Sequence, residues 1–309
     1  DMSKLFKNYV VPDLSKSRFT KLPPLFVSAR TRSVIQANIA ADLDPGGVRI
    51  NKILSLAKAE HTEAFVLPPA AVMRLSAQQR VRFMDALYDG FDLRLNIGGD
   101  DVHPKLYGQP ITHARTEELN ETRDFFELML IRHWQKRNDK AIKMKVLGKP
   151  EFGICRGHQL MGVASGHTMN QDVVRDGVSR DGTHLDRLGD PSKRTVQHWH
   201  HIYVEQGFFA ELLGKSGDVR VNDWHHQSVR PNPRGRTYVV AVAPDGVVEA
   251  MESKDRLTVS VQFHPEFDLG QSGNPEFTNM GRSFFRRLFD YARGHRVLRE
   301  CSAVFAGPR

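Results

Sequence analysis

Residues 151–160 read EFGICRGHQL. Phe152–Ile154 has the apolar character of a strand end and Arg156–Ala164 reads as a helix, so the chain has to turn sharply at Cys155. A side chain on such an elbow sits in a strained backbone conformation. Gly153 and Gly157, two residues to either side, relieve the crowding there. The helix that follows points its N-terminus at the sulfur, which favours the thiolate form. It also leaves the N–H of Arg156 free to donate to a developing oxyanion.

Outward from this elbow the chain alternates short apolar runs with amphipathic stretches. Leu25–Ala29, Ala64–Leu67 and Leu93–Ile97 read as strands. Arg49–Ala59 places Ile50, Ile53, Leu54 and Ala57 on one helical face. Ser76 caps a helix through Tyr88, with Val81, Met84 and Leu87 or Tyr88 inward. Residues 116–137 form a long helix with Phe125, Leu128, Met129 and Trp134 as its buried stripe. Thr237–Ala243 and Val247–Met251 flank Pro244-Asp245-Gly246 and read as a hairpin. Leu257–Phe263 is a further strand and residues 276–294 a closing helix. The strand–helix rhythm predicts an α/β fold: a three-layer sandwich with a mostly parallel, flavodoxin-like central sheet and a small antiparallel hairpin region. The division expected is a basic N-terminal extension over 1–24, one domain over 25–295 and a basic C-terminal tail over 296–309.

Two other segments supply what a thiol nucleophile needs. In VQFHPE (261–266), Pro265 favours extended backbone at His264. At a spacing of two, Glu266 projects the same way as His264 and can orient its imidazole. In NIGGDDV (96–102), Gly98 and Gly99 leave a strand, where a backbone N–H can face an oxyanion with no side chain in between.

Bulk properties narrow the classes. The chain has 309 residues, 40% hydrophobic and 26% charged, with no apolar run long enough to span a membrane. Its formal charge of +8 lies entirely in residues 1–24 and 281–309, and the body between is neutral. A nucleic-acid enzyme would concentrate that excess around its groove, so no nucleic-acid partner is expected. Cys155 and Cys301 are the only cysteines, which argues against a disulfide framework and for a cytoplasmic home. Histidines gather at His198, His200, His201, His225 and His226, but strand alternation lets only His198 and His200 share a face, and no metal or other cofactor is expected.

GICRGHQ, VQFHPE and NIGGDDV together resemble the class I glutamine amidotransferase-like superfamily, and more closely its γ-glutamyl-γ-aminobutyrate hydrolase family. GGDDVHPKLYG (98–108), TRDFFELMLIR (122–132), GHTMNQDV (166–173), VNDWHHQSV (221–229) and APDGVVEAMES (243–253) extend the resemblance over roughly residues 25–290. It implies a Cys155, His264 and Glu266 triad, oxyanion donors at Gly98 or Gly99 and Arg156, and Gln159, His225 and His226 beside the substrate. The implied substrate is a small γ-glutamyl amide, with homo-oligomerisation left open. Two other readings compete: a glutaminase subunit that passes ammonia to a separate synthase, and a silent ligand-binding relative. The chain departs from the pattern at Ser165-Gly166-His167-Thr168, where the family has a Gly-Gly-Thr turn. It departs again in the Arg-, Asp- and His-rich segment 174–200, expected at the pocket entrance as the reader of the leaving amine.

Overall fold

The computed structural model describes residues 25–28, 35–36, 48–59, 63–66, 72, 74–113, 119–185, 198–267 and 275–305. The expected extension over 1–24 and residues 186–197 of the variable segment lie outside these. Strands β1 (Leu25–Ser28), β2 (Ile35–Gln36), β3 (Glu63–Val66), β4 (Leu93–Asn96) and β5 (Glu151–Ile154) alternate with helices α1 (Val48–Ala59), α2 (Ala77–Gly90) and α3 (Glu121–Lys143). After β5 come α4 (Arg156–Ala164), β6 (Thr168–Asn170), β7 (His198–Val204), α5 (Phe208–Leu213), β8 (Gly217–Asp223) and β9 (Ser228–Arg230). The chain closes with β10 (Thr237–Val242), β11 (Val248–Ser253), β12 (Thr258–Val261) and α6 (Pro275–Phe305).

The α/β class expected from the sequence is the one observed. Ten strands join one sheet in the order β2-β3-β1-β4-β5-β12-β11-β10-β7-β8, and β6 and β9 form a separate pair. At its centre β4, β5 and β12 run parallel in register, Leu95 opposite Phe152 and Ile154 opposite Val261. On one side, β12, β11, β10, β7 and β8 are linked by antiparallel pairings. The predicted hairpin of β10 and β11 is therefore the start of a longer antiparallel wing.

Strand alternation explains the layers. Phe152 and Ile154 face one side of β5 and join a core with Phe284, Phe285 and Phe289 of α6. Gly153 faces the other side, where an added Cβ would meet the Met161 sulfur at 2.5 Å and the Gly157 carbonyl at 2.8 Å. Helix α4 thus lies directly on the sheet, and its Leu160, Met161 and Val163 pack with Leu128 and Ile131 of α3. At the N-terminal ends of the parallel strands, buried Arg94 (β4) pairs with Glu151 (β5) at 2.7 Å, and Thr258 (β12) donates to the same carboxylate. These bonds tie the three strands together.

Some sequence expectations need correction. Ser76 caps α2 through a full capping box, and Met84, Leu87 and Tyr88 are buried, but Val81 is exposed. Helix α3 starts at Glu121 because the Asn120 side chain accepts from the N–H of Arg123. Of its expected stripe Leu128 and Trp134 are buried and Met129 is partly so, whereas Phe125 is 53% exposed and its neighbour Phe126 is buried in its place. Helix α6 continues through the stretch expected as a tail, and Arg299 on it reaches Asp92 at 2.6 Å. No described helix is long and apolar enough to cross a membrane.

Candidate active site

Because β4, β5 and β12 are parallel, whatever follows each of them emerges at one edge of the sheet. Gly98 follows β4, Cys155 follows β5 and His264 follows β12. A Cβ added at Gly98 would stand 2.8 Å from His264 Cε1 and 3.5 Å from Cys155 Cβ. Three segments widely separated in sequence therefore meet within a few ångströms.

Cys155 takes φ 51° and ψ −112° at the N-cap of α4, a strained position for a residue with a Cβ. The strain is held by packing: its N–H donates to Val261 O at 2.8 Å, and a Cβ at Gly157 would collide with Asn96 O at 2.1 Å. The N–H of Arg156 lies in the first turn of α4, where there is no intrahelical acceptor.

His264 is buried, and its Nδ1 lies 2.6 Å from Glu266 Oε1. A carboxylate at this distance accepts the Nδ1–H hydrogen bond and leaves Nε2 for chemistry; no protein group makes a hydrogen bond of good geometry to Nε2 among the described residues. Burial pulls the imidazole down, but the Glu266 carboxylate and the Cys155 sulfur outweigh it and lift its pKa to about 9. The protonated imidazole is thus favoured beside the sulfur.

The surrounding shell was largely invisible in the sequence. Asn222 grips the backbone of His264 from both sides, accepting from its N–H at 2.9 Å and donating to its carbonyl at 2.8 Å. Trp224 stacks on Phe267, which in turn meets the His264 ring edge-on at 5.4 Å. Arg123 donates to Gly98 O at 3.1 Å and to Glu127 at 2.7 Å. Gly99, at φ 150°, lies so close to this guanidinium that an added Cβ would be 2.3 Å from it, so only glycine fits. The side chain of Arg156 pairs with Asp124 and Glu127. Burial works to raise the Glu127 carboxyl, and Arg123 and Arg156 overcome it and hold it below its usual range. The only sequence hint of this shell was that TRDFFELMLIR and VNDWHHQSV belonged to the resemblance.

Gln159, His225 and His226 were expected to line the substrate, but their polar atoms are turned into the protein. Gln159 Nε2 donates to Gln227 O and to Gln262 Oε1. His226 bridges Asp172 at 3.2 Å and Asp101 at 2.9 Å, so both its ring nitrogens are used. His225 is buried, and its Nδ1 donates to Gln227 O at 2.9 Å. His201, another of the histidines gathered in the sequence, is exposed and bonds Asp218. His184, expected at the pocket entrance, is buried and gathers with His200 and Glu249, and with Asp223 and His225, in sets whose geometry suits a metal ion.

The "Putative glutamine amidotransferase-like protein YvdE" of Lactococcus lactis is 35% identical over 55% of this chain and 63% of its own length. Protein NtpR of Enterococcus hirae is 31% identical over 67% of this chain and 75% of its own. A solved glutamine amido transferase from Methylobacillus flagellatus superposes with TM-score 0.48 at 13% identity, covering 84% of this chain and 95% of that one. The chain thus spans under two-thirds of the first of these relatives. The family model for Peptidase C26 matches residues 51–266, which include Cys155, His264 and Glu266, and on that match the chain belongs to the Peptidase C26 family.

Proposed function

We propose that this chain hydrolyses γ-glutamyl amide bonds, with Cys155 as nucleophile, His264 as acid and base, and Glu266 as the group that orients and charges the imidazole. The observation that carries this reading is the strained Cys155 elbow beside an imidazole held at 2.6 Å by a buried carboxylate. The thiolate attacks the γ-carbonyl carbon, and the resulting oxyanion is met by N–H groups of Arg156 and of Gly98 or Gly99. His264 gives its Nε2 proton to the departing nitrogen as the C–N bond breaks. It then takes a proton from water as the oxygen attacks the thioester; collapse expels the Cys155 thiolate and the γ-carboxylic acid, which loses its proton to solvent, and the thiolate–imidazolium pair is restored. In this scheme Gln159, His225 and His226 shape the wall rather than donate to the substrate, since Gln159 Nε2, His225 Nδ1 and both ring nitrogens of His226 already have internal partners.

The relatives named as glutamine amidotransferases favour one alternative, that the released amine is ammonia from glutamine and passes to a separate synthase. Glutamate release from a panel of γ-glutamyl amides differing only in the amine, with free glutamine included, tests the choice. Turnover of γ-glutamyl amines well above glutamine is the expected result. Preference for glutamine would move the assignment to the glutaminase reading, and equal cleavage of α-glutamyl amides would end the γ-glutamyl one.

A further inference from the structure

The antiparallel wing holds a second group of buried imidazoles, remote in sequence from the elbow and independent of the hydrolase reading. His184 lies in the loop after the 173–177 turn, His200 on β7, His225 between β8 and β9, and Glu249 on β11. All four are buried. The Nε2 atoms of His184, His200 and His225 stand 3.4, 3.3 and 3.5 Å from one oxygen, Oε1 of Glu249. Around a tetrahedral zinc ion with bonds of about 2.0–2.1 Å, neighbouring ligand atoms lie about 3.3–3.4 Å apart.

Hydrogen bonding in the cluster points to a ligand. Among the described residues neither ring nitrogen of His200 has a partner that meets hydrogen-bond geometry, nor do His225 Nε2 and Glu249 Oε2, although all are shielded from water. Such orphans are rare in folded proteins, and their gathering around one carboxylate is rarer still. The outer bonds fix the tautomers needed. His225 Nδ1 faces the carbonyl of Gln227 at 2.9 Å, which can only accept, so this nitrogen carries the proton and Nε2 presents a lone pair. His184 Nδ1 donates to Asp245 at 2.7 Å, and a cation would replace the proton that its Nε2 shares with Glu249 at 3.4 Å. Metal-bound histidines characteristically use their second nitrogen like this. Charge agrees as well: Asp223 Oδ1 lies 3.6 Å from His225 Nε2, so two carboxylates would balance a divalent cation among neutral imidazoles.

We infer that His184, His200 and Glu249, with His225 as the fourth ligand, form a structural site for a divalent transition-metal ion of the zinc type. Three imidazoles and one carboxylate suit zinc and its neighbours rather than calcium or magnesium. Every ligand comes from the protein and none is exposed, so the site is closed and acts as a brace. It would fasten the 179–184 loop to the sheet and fix the 223–227 segment. The latter follows the Asn222 that grips His264, and its Gln227 carbonyl is shared with Gln159.

The test uses the full chain carrying no polyhistidine tag. Metal content by plasma mass spectrometry should approach one zinc-type ion per chain. Protein stripped with a chelator should lose thermal stability and regain it on adding Zn²⁺, with Co²⁺ giving the visible absorption of a tetrahedral site. His200→Ala should abolish both retention and the Zn²⁺-dependent shift. His201→Ala, its exposed neighbour, should keep both, as should Cys155→Ser. If Glu249→Gln fails to fold, His200→Ala together with Asp245→Asn, which weakens only the outer bond, gives the graded loss. Protein free of metal whose melting does not respond to Zn²⁺ would overturn the proposal. So would retention that survives in His200→Ala or disappears in Cys155→Ser.

Discussion

Two of the buried imidazole–carboxylate assemblies among the described residues, one at the elbow and one in the antiparallel wing, differ in how their groups are shared. At the elbow one imidazole meets one carboxylate: Glu266 takes Nδ1 of His264, and the other nitrogen is left toward a thiol. In the antiparallel wing three imidazoles crowd one oxygen of Glu249. A single pair can hold one proton stably, because the charge it creates is matched. Asp245 faces His184 Nδ1 and Asp223 stands near His225, yet three Nε2 atoms share one Glu249 oxygen, a crowding that one metal ion would relieve better than three separate protons. On the two proposals above, what the second nitrogen faces would separate a reactive histidine from a bracing one.

Removing the sulfur should have the largest effect. Cys155→Ala is expected to lower kcat/KM on the order of 10⁴-fold or more while the circular dichroism spectrum stays native. Residual turnover within tenfold of wild type would sink the nucleophile assignment. His264→Ala follows, since both the departing nitrogen and the water lose their proton relay. Glu266→Gln keeps the hydrogen bond but not the charge, and should slow turnover by roughly 10²–10³-fold. If Glu266→Gln proved the more damaging of the two, their roles would have to be exchanged.

The pH dependence sharpens the contrast from the elbow side. His264 is raised from an ordinary value of 6.5 to about 9 in the folded protein. A raised pKa contributes stability that is full below about 6.5 and is lost as pH rises through about 9. Activity should fall across the same alkaline limb, because the imidazolium that protonates the leaving amine disappears. In Glu266→Gln that limb should move to lower pH. A limb that did not move would mean another group controls it.

Two smaller effects complete the series. Asn222→Ala removes two buried bonds to the His264 backbone and should cost roughly 1–3 kcal/mol of stability, with kcat reduced more than KM is raised. Equal change in the two constants would make Asn222 a substrate contact instead of a clamp. Cys301 is exposed on α6, and Cys301→Ala should alter stability by less than about 0.5 kcal/mol and leave turnover unchanged. Marked loss of activity there would mean the wrong thiol had been chosen.

What the sequence by itself determined was local. A strand, a cysteine flanked by glycines and a helix within 14 residues fixed the elbow, since backbone sterics over so short a span leave few alternatives. The spacing of two between His264 and Glu266 likewise needed only extended backbone to bring them together. Helical phase was less secure: Phe125 and Phe126 are adjacent and equally apolar, and packing against the sheet chose Phe126. Contacts between distant segments depended on tertiary structure. Arg123 on α3 supports Gly98 after β4, and Asn222 near the end of β8 grips His264 although β8 stands four places from β12 in the sheet order. His184 shows the limit most clearly. In sequence it is one polar residue among arginines and aspartates, and only the folding of its loop onto β7 and β11 sets it beside His200 and Glu249. A side chain's partners across a sheet follow from strand pairing, and strand pairing is decided by burial over the whole chain rather than by any one segment.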